Sequence, residues 1–287
     1  MKFDLKILEG KDIPEGLKEI PQPPTKLYIA GKLPPPGTVC LAVVGSRKCT
    51  TYGKDIVRKL IEGLRGYPIA IVSGLAMGID SLSHEAALNA GLLAVAFPGS
   101  GISDEVFFPP TSLKLAHRII EAGGCILSEF EPDMKAQYYT FPMRNRLVAG
   151  ISKAALIIEA EEKSGTLITA RMALDYNREV LAVPGNIYSP NSKGTNKLIQ
   201  NGATPITSPE DILRALGFKV DEQSKQESLF ADARPEEKEV MKLLREPQAR
   251  DDLIRMMQKS TAQANALLSV MEIKGLIKEE MGEIRLA

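Results

Sequence analysis

The sequence predicts an α/β protein built on a doubly wound, mainly parallel sheet, followed by a small second domain. From Leu41 to about Gly217, short apolar runs alternate with amphipathic stretches, the rhythm of parallel strands joined by crossover helices. The runs are almost continuously apolar and rich in Val, Ile and Ala, as strands covered on both faces are. At 287 residues, with 44% apolar and 25% charged residues, the chain has material for one large domain and one small one.

Residues 1–38 form a Pro-rich arm. Its two proline clusters, Pro21-Gln22-Pro23-Pro24 and Pro34-Pro35-Pro36-Gly37, bracket Leu27-Tyr28-Ile29-Ala30, which reads as one short strand docking the arm on the core. Residues 39–217 form the sheet domain. Its strands are expected at LAVVGS, IAIVSG, LLAVAFPG, CILSEF, AALIIEA and EVLAVPG. Helices are expected at Tyr52–Leu64, Asp80–Asn89, Ser112–Glu121, Leu167–Asn177 and Asn196–Asn201, several of them closed by glycine. Ser208-Pro209-Glu210-Asp211 opens another helix, with Ser208 as N-cap and Asp211 in a capping-box position. Residues 218–234 are polar, mixed in charge and read as a linker. In residues 235–287, three helices (Pro235–Arg245, Asp251–Met257, Ala262–Ile273) precede a hairpin turning at Met281-Gly282, the order of a winged helix-turn-helix. The third helix carries Gln263, Asn265, Ser269 and Glu272 instead of a basic face, so a protein-contact role competes with DNA reading.

Several function classes are excluded at this stage. No apolar run reaches the roughly 18 residues of a membrane span, and the N-terminus lacks the apolar core of a secretion signal, so a soluble cytoplasmic protein is expected. Cys40, Cys49 and Cys125 are widely spaced, and His84 and His117 have no ligand motif around them, so neither disulfides nor a metal is expected. The glycines of a GxGxxG fingerprint are absent after the first strand and no Walker-type Gly-Lys-Ser/Thr occurs, so no nucleotide cofactor is expected. Lys+Arg and Asp+Glu both number 36, so any nucleic-acid site is a local pocket and not a global basic face.

In a doubly wound sheet, ligands bind beyond the carboxyl ends of the strands. Those ends are rich in small residues here. Gly45-Ser46-Arg47 ends the first strand and presents a guanidinium suited to bidentate phosphate contact and to stacking on a base; the plain alternative is a surface Arg paired with a carboxylate. Lys163-Ser164-Gly165-Thr166 follows a later strand at a helix N-terminus, where free N–H groups and the helix dipole favour an anion; the alternative is that Ser164 or Thr166 is only an N-cap. Tyr138 to Arg146 clusters aromatics with two arginines, so that Phe141, Arg144, Asn145 and Arg146 suit a single strand, whose bases stack on rings while its backbone meets cations. The alternative has Phe141 and the tyrosines as core packing, with Arg144 or Arg146 in internal ion pairs. Asp80 reads as a helix cap and His84 as a packing residue, with no nucleophile beside it.

These residues carry a family resemblance. VVGSR with Tyr52-Gly53, SGLAMGID with His84, LSEF, FPMRNR, EAEEKSGTLITA, and AVPGNIYSP followed by NKLIQNGA stand in the order and spacing of the DNA-processing protein A (Smf) family. The resemblance covers roughly Pro24 to Gly217. It implies an extended Rossmann-like fold, sequence-independent binding of single-stranded DNA, homodimerisation and delivery of the strand to the RecA recombinase in natural transformation, without catalysis. It places Arg47, Arg144, Arg146 and Lys163 to Thr166 in the DNA pocket. The rival expectation is a nucleotide-binding or nucleotide-hydrolysing enzyme with Glu129 or Glu159 as its catalytic carboxylate.

Overall fold

A computed structural model describes residues 4–220, 234–244, 246–274, 276–280 and 282–286 of two compact units, Met1–Lys219 and Val220–Ala287. The first unit is a nine-stranded sheet flanked by helices. Its strands are β1 (Leu5–Glu9), β2 (Lys26–Gly31), β3 (Val39–Val44), β4 (Ile69–Ser73), β5 (Leu93–Ala96), β6 (Cys125–Ser128), β7 (Ala154–Ile157), β8 (Glu179–Ala182) and β9 (Thr204–Pro205). Their order is β1-β2-β6-β5-β4-β3-β7-β8-β9, with β3 to β9 parallel and β1 and β2 antiparallel at one edge. The fold is the expected doubly wound α/β architecture.

The chain starts its parallel part in the middle, at β3, and winds outward through β4, β5 and β6. It then returns to pair β7 with the other side of β3, aligning Leu41 with both Ile71 and Ala154. Right-handed crossovers taken in opposite directions put their helices on opposite faces. Thus α2 (Thr51–Glu62), α3 (Ile79–Asn89) and α4 (Leu113–Glu121) pack in series, and α5 (Thr140–Ile151) packs on α6 (Gly165–Asp175). The reversal leaves a crevice beyond the carboxyl ends of β3 and β7.

Strand period governs which core each residue joins. Val95 and Phe97 enter the cluster with Ala42, Val72 and Ile157, while Ala94 and Ala96 enter the one with Leu75 and Ile126. Covering both faces is what makes these strands read as unbroken apolar runs. Thr50 caps α2 by accepting from Gly53 N at 3.1 Å. Ser208 and Asp211 form the expected capping box at the start of α8 (Pro209–Ala215), which follows α7 (Lys193–Gln200). Between β1 and β2 a four-residue helix, α1 (Glu15–Lys18), buries Leu17.

Four elements of this unit were not among those expected. The arm supplies two strands and α1 where one strand was expected. A short β9 extends the far edge, and α5 was not placed as a helix. Residues 221–233 of the expected linker lie outside the described residues.

The second unit contains α9 (Pro235–Leu243), α10 (Arg250–Met256) and α11 (Thr261–Ile273) with a three-stranded antiparallel sheet of order β10-β12-β11, from β10 (Gln248–Ala249), β11 (Ile277–Glu280) and β12 (Glu283–Leu286). Val240, Leu253, Leu268 and Ile284 form its core. The buried Glu237 carboxylate ties α9 to α11 through Lys274 Nζ at 2.6 Å. Met281, half of the expected turn, lies outside the described residues.

His84 on α3 is wholly buried, and burial drives its pKa down from 6.5 to about 3. The folded imidazole therefore stays neutral where the unfolded one takes up a proton. This contribution is absent above about pH 6.5 and opposes folding increasingly as pH falls towards 3, with a slope of up to about 1.4 kcal/mol per pH unit. Urea melts between pH 7 and pH 5 should show a loss of stability that is clearly smaller in His84→Gln; equal slopes would contradict the assignment.

Candidate functional site

The crevice at the sheet reversal is a cleft of about 560 Å³. Ten of the eleven residues expected to form a site line it: Gly45, Ser46, Arg47, Phe141, Arg144, Asn145, Lys163, Ser164, Gly165 and Thr166. They come from three separate parts of the chain.

The first wall is the turn after β3. Ser46 Oγ accepts from Lys48 N at 3.1 Å and Ser46 O accepts from Ile79 N at 3.2 Å, which fixes the turn against the start of α3. Gly45 is required here, since a Cβ would lie 2.6 Å from Ile79 Cγ1. Arg47 and Lys48 project outward and are exposed. The Arg47 guanidinium lies over the Phe141 ring, 5.3 Å from its centroid.

The second wall is the start of α5. Phe141 packs on Gly99, where a Cβ would fall 2.6 Å from the ring, and meets Phe108 at a centroid separation of 5.7 Å. Tyr138, almost fully exposed, stands at the mouth. One turn on, Arg144 turns inward. Its Nη1 donates to the carbonyl oxygens of Gly74 and Phe97, just beyond β4 and β5, and its Nε donates to Asn145 Oδ1 at 3.0 Å. Burial lowers its pKa, to about 10, with Asp80 opposing that shift, so it is charged at neutral pH. Arg144 lines the floor of the cleft but is only 5% exposed, so it is a brace first and a ligand contact only at its edge. Asp80 does not cap α3, whose N-cap is Gly78; its Oδ2 accepts from Gly74 N at 3.2 Å beside Arg144, and burial raises its pKa.

The third wall is the N-terminus of α6. Ser164 is its N-cap and accepts from Thr166 N at 3.2 Å, so the capping reading of this serine is what the structure shows. Leu167 N donates to Ser164 O, which leaves the exposed Gly165 to offer its backbone at the cleft wall, with open space where a Cβ would stand. Lys163 is exposed beside it, with Glu161 opposite in sign nearby on the lining. No ion pair among the described residues engages Arg47, Lys48 or Lys163.

Arg146 is the expected residue that the structure places elsewhere. It is 8% exposed, outside the cleft, bonded to Glu129 and to the carbonyl of Gln22. Two positions apart on one helix, Arg144 and Arg146 point in different directions, and only one can face the cleft. The carboxylates of the enzyme alternative are engaged as well. Glu129 holds Arg146, and the buried Glu159 accepts from Thr50 N at 2.9 Å and Thr50 Oγ1 at 2.5 Å; neither lines the cleft. Lys48 and Asp80 line it without having been singled out for it, and Tyr138, from the expected aromatic segment, lines it as well. Adjacency to Arg47 was the available signal for Lys48.

Together these features define a class: a doubly wound α/β domain whose candidate site at the sheet's switch point combines cations without ion pairs among the described residues, a helix N-terminus and aromatic faces. The chain belongs to the DNA recombination-mediator protein A family, which it matches over residues 5–217. It is 42% identical over 195 residues to Protein Smf of Escherichia coli, an alignment covering 68% of this chain and 52% of that protein. It is 39% identical over 214 residues to DNA processing protein DprA of Bacillus subtilis, covering 73% of this chain and 70% of that protein. The chain thus spans about half the length of the Escherichia coli relative. Among solved structures, DNA processing protein A of Streptococcus pneumoniae superposes with a TM-score of 0.69 at 36% identity, covering 76% of each chain. DNA processing protein A of Helicobacter pylori, described for its single-stranded DNA binding mode, superposes with a TM-score of 0.65 at 30% identity, covering 75% of this chain and 98% of that one.

The two arginines should separate by experiment. Arg144→Ala leaves two strand-end carbonyls and Asp80 without their buried cation and should cost about 3 kcal/mol or more in urea unfolding. Arg47→Ala, at an exposed position, should stay within about 0.5 kcal/mol of the wild type. Equal losses would contradict the division into brace and contact.

Proposed function

We propose that the cleft binds single-stranded DNA without reading its sequence, and that the protein is a DNA-processing factor, not an enzyme. The observation that carries this reading is the exposed Arg47 guanidinium over the Phe141 ring, facing Lys163 and the start of α6 across one cleft. Phosphates meet cations and a helix N-terminus, and bases meet an aromatic face and a guanidinium plane; every base has such a face, so the contact tolerates any sequence. The binding mode described for the Helicobacter pylori relative supports the reading.

The protein is further proposed to act in the cytoplasm as a homodimer that protects incoming strands in natural transformation and delivers them to the RecA recombinase. The family's description as a recombination mediator supports the delivery step. The second unit, with its three helices and small antiparallel sheet, is read as a winged-helix module.

Fluorescence anisotropy of a labelled oligonucleotide tests the binding. Wild type should bind single strands in preference to duplex, with log K falling by about 2 to 3 per decade of salt, as for three or four phosphate contacts at about −0.7 each. Arg47→Ala and Lys163→Ala should each weaken binding about tenfold, and Arg146→Ala should not act beyond its effect on folding. Failure of the folded wild type to bind would sink the proposal. Light scattering at micromolar concentration should return a dimer mass, and a monomer would remove the homodimer from it.

A further inference from the structure

The turn that carries Arg47 separates two clefts. Arg47 and Lys48 line the one described above and also a second, of about 460 Å³, on the other helical layer between α2, α3 and the 3-10 turn Pro110–Ser112. We propose that this second cleft is a continuation subsite for the same nucleic-acid strand, which crosses from one to the other over Arg47 and Lys48. The proposal rests on the reading of the first cleft as a single-strand site.

Three observations carry it. The first is charge. Lys54 joins Arg47 and Lys48 on this lining, whose acidic member is Glu85, and no ion pair among the described residues engages Lys54. Lys54 also sits in the opening turn of α2, and that turn holds no acidic residue. A cation there adds to the positive end of the helix dipole and disfavours the helix, an effect that the buried Glu159 carboxylate held at Thr50 offsets in part. The cation does make the place attractive to an anion, which is what a phosphate passing Arg47 would need.

The second is an apolar platform. Met77 is 58% exposed on this lining, in the loop from β4 to α3. A thioether side chain is flexible and polarizable and packs on rings of varied shape, which suits a base or sugar read without preference.

The third is rigidity of the join. Gly78 has φ +84°, and a Cβ there would lie 2.7 Å from Arg47 O, so this loop is seated on the backbone of the Arg47 turn. Ile79 N donating to Ser46 O holds the same contact. The two clefts are therefore walls of one stiff ridge, and a strand bound in the first is delivered at a fixed position to the second.

The test compares oligothymidylates from about 4 to about 16 nucleotides, the span of single-strand site sizes. For wild type, affinity should rise with length beyond what the first cleft holds. Lys54→Ala should remove most of that rise, weaken the longest oligonucleotide by roughly fivefold and make its salt slope shallower by about 0.7, while binding the shortest as wild type does. Lys54→Glu should act more strongly in the same direction, with thermal melts of both variants at or above that of the wild type. Wild-type binding of long strands by Lys54→Glu, together with loss in Arg47→Ala, would overturn the second cleft and leave the first standing. Absence of binding by wild type would remove both.

Discussion

The site depends on a guanidinium that is almost hidden. Arg144 reaches from α5 under the sheet's switch point and donates to the carbonyls just beyond β4 and β5, beside the buried Asp80. A charge held this deep is tolerated because it is met by carbonyl oxygens and an acidic neighbour, and removing one partner strands the others. The brace sets where α5 begins, and that in turn sets where Phe141 and Asn145 face. Gly74 and Gly99 are part of the same device, because a Cβ at either would strike Arg144 or Phe141. The aromatic face of the cleft is therefore set by a buried polar contact, and Arg47 has a fixed ring to lie over.

Charge is sorted by place, not by amount. The chain has a formal net charge of zero, yet Arg47, Lys48 and Lys163 stand around one cleft without carboxylate partners among the described residues while Arg146 and Lys274 are held by Glu129 and Glu237. Free cations gathered on a concave surface raise local potential in a way that the overall balance hides. Family membership and the geometry of the cleft point the same way, although the Escherichia coli relative is nearly twice as long as the stretch this chain matches.

Much of the fold was legible because its central strands are buried on both faces, and each of the six expected strands overlaps an observed one. The edges were not. Leu5–Glu9 is half exposed and pairs antiparallel, so it has neither an apolar run nor clean alternation, and Thr204–Pro205 is too short to show a period. The helix α5 was hidden because a proline stands in its first turn and because two arginines occupy buried positions, which breaks the amphipathic pattern. The same disguise made Arg144 and Arg146 look alike. Glu129, the partner that takes Arg146 out of the site, comes from the end of β6, a contact that only the folded sheet creates. The glycine turns and the start of α6 were readable, since a strand that ends in small residues at the switch point has few other uses.

In the proposed binding mode one cleft, walled by the Arg47 turn, the start of α5 and the start of α6, holds the bases of a single strand. Photocrosslinking of an oligonucleotide substituted with 5-bromouracil, followed by mass spectrometry of the adducts, tests it most directly. Adducts are expected on the peptide carrying Tyr138 and Phe141, lost when unlabelled single strands compete. Adducts confined to the second unit, with none on that peptide, would contradict it.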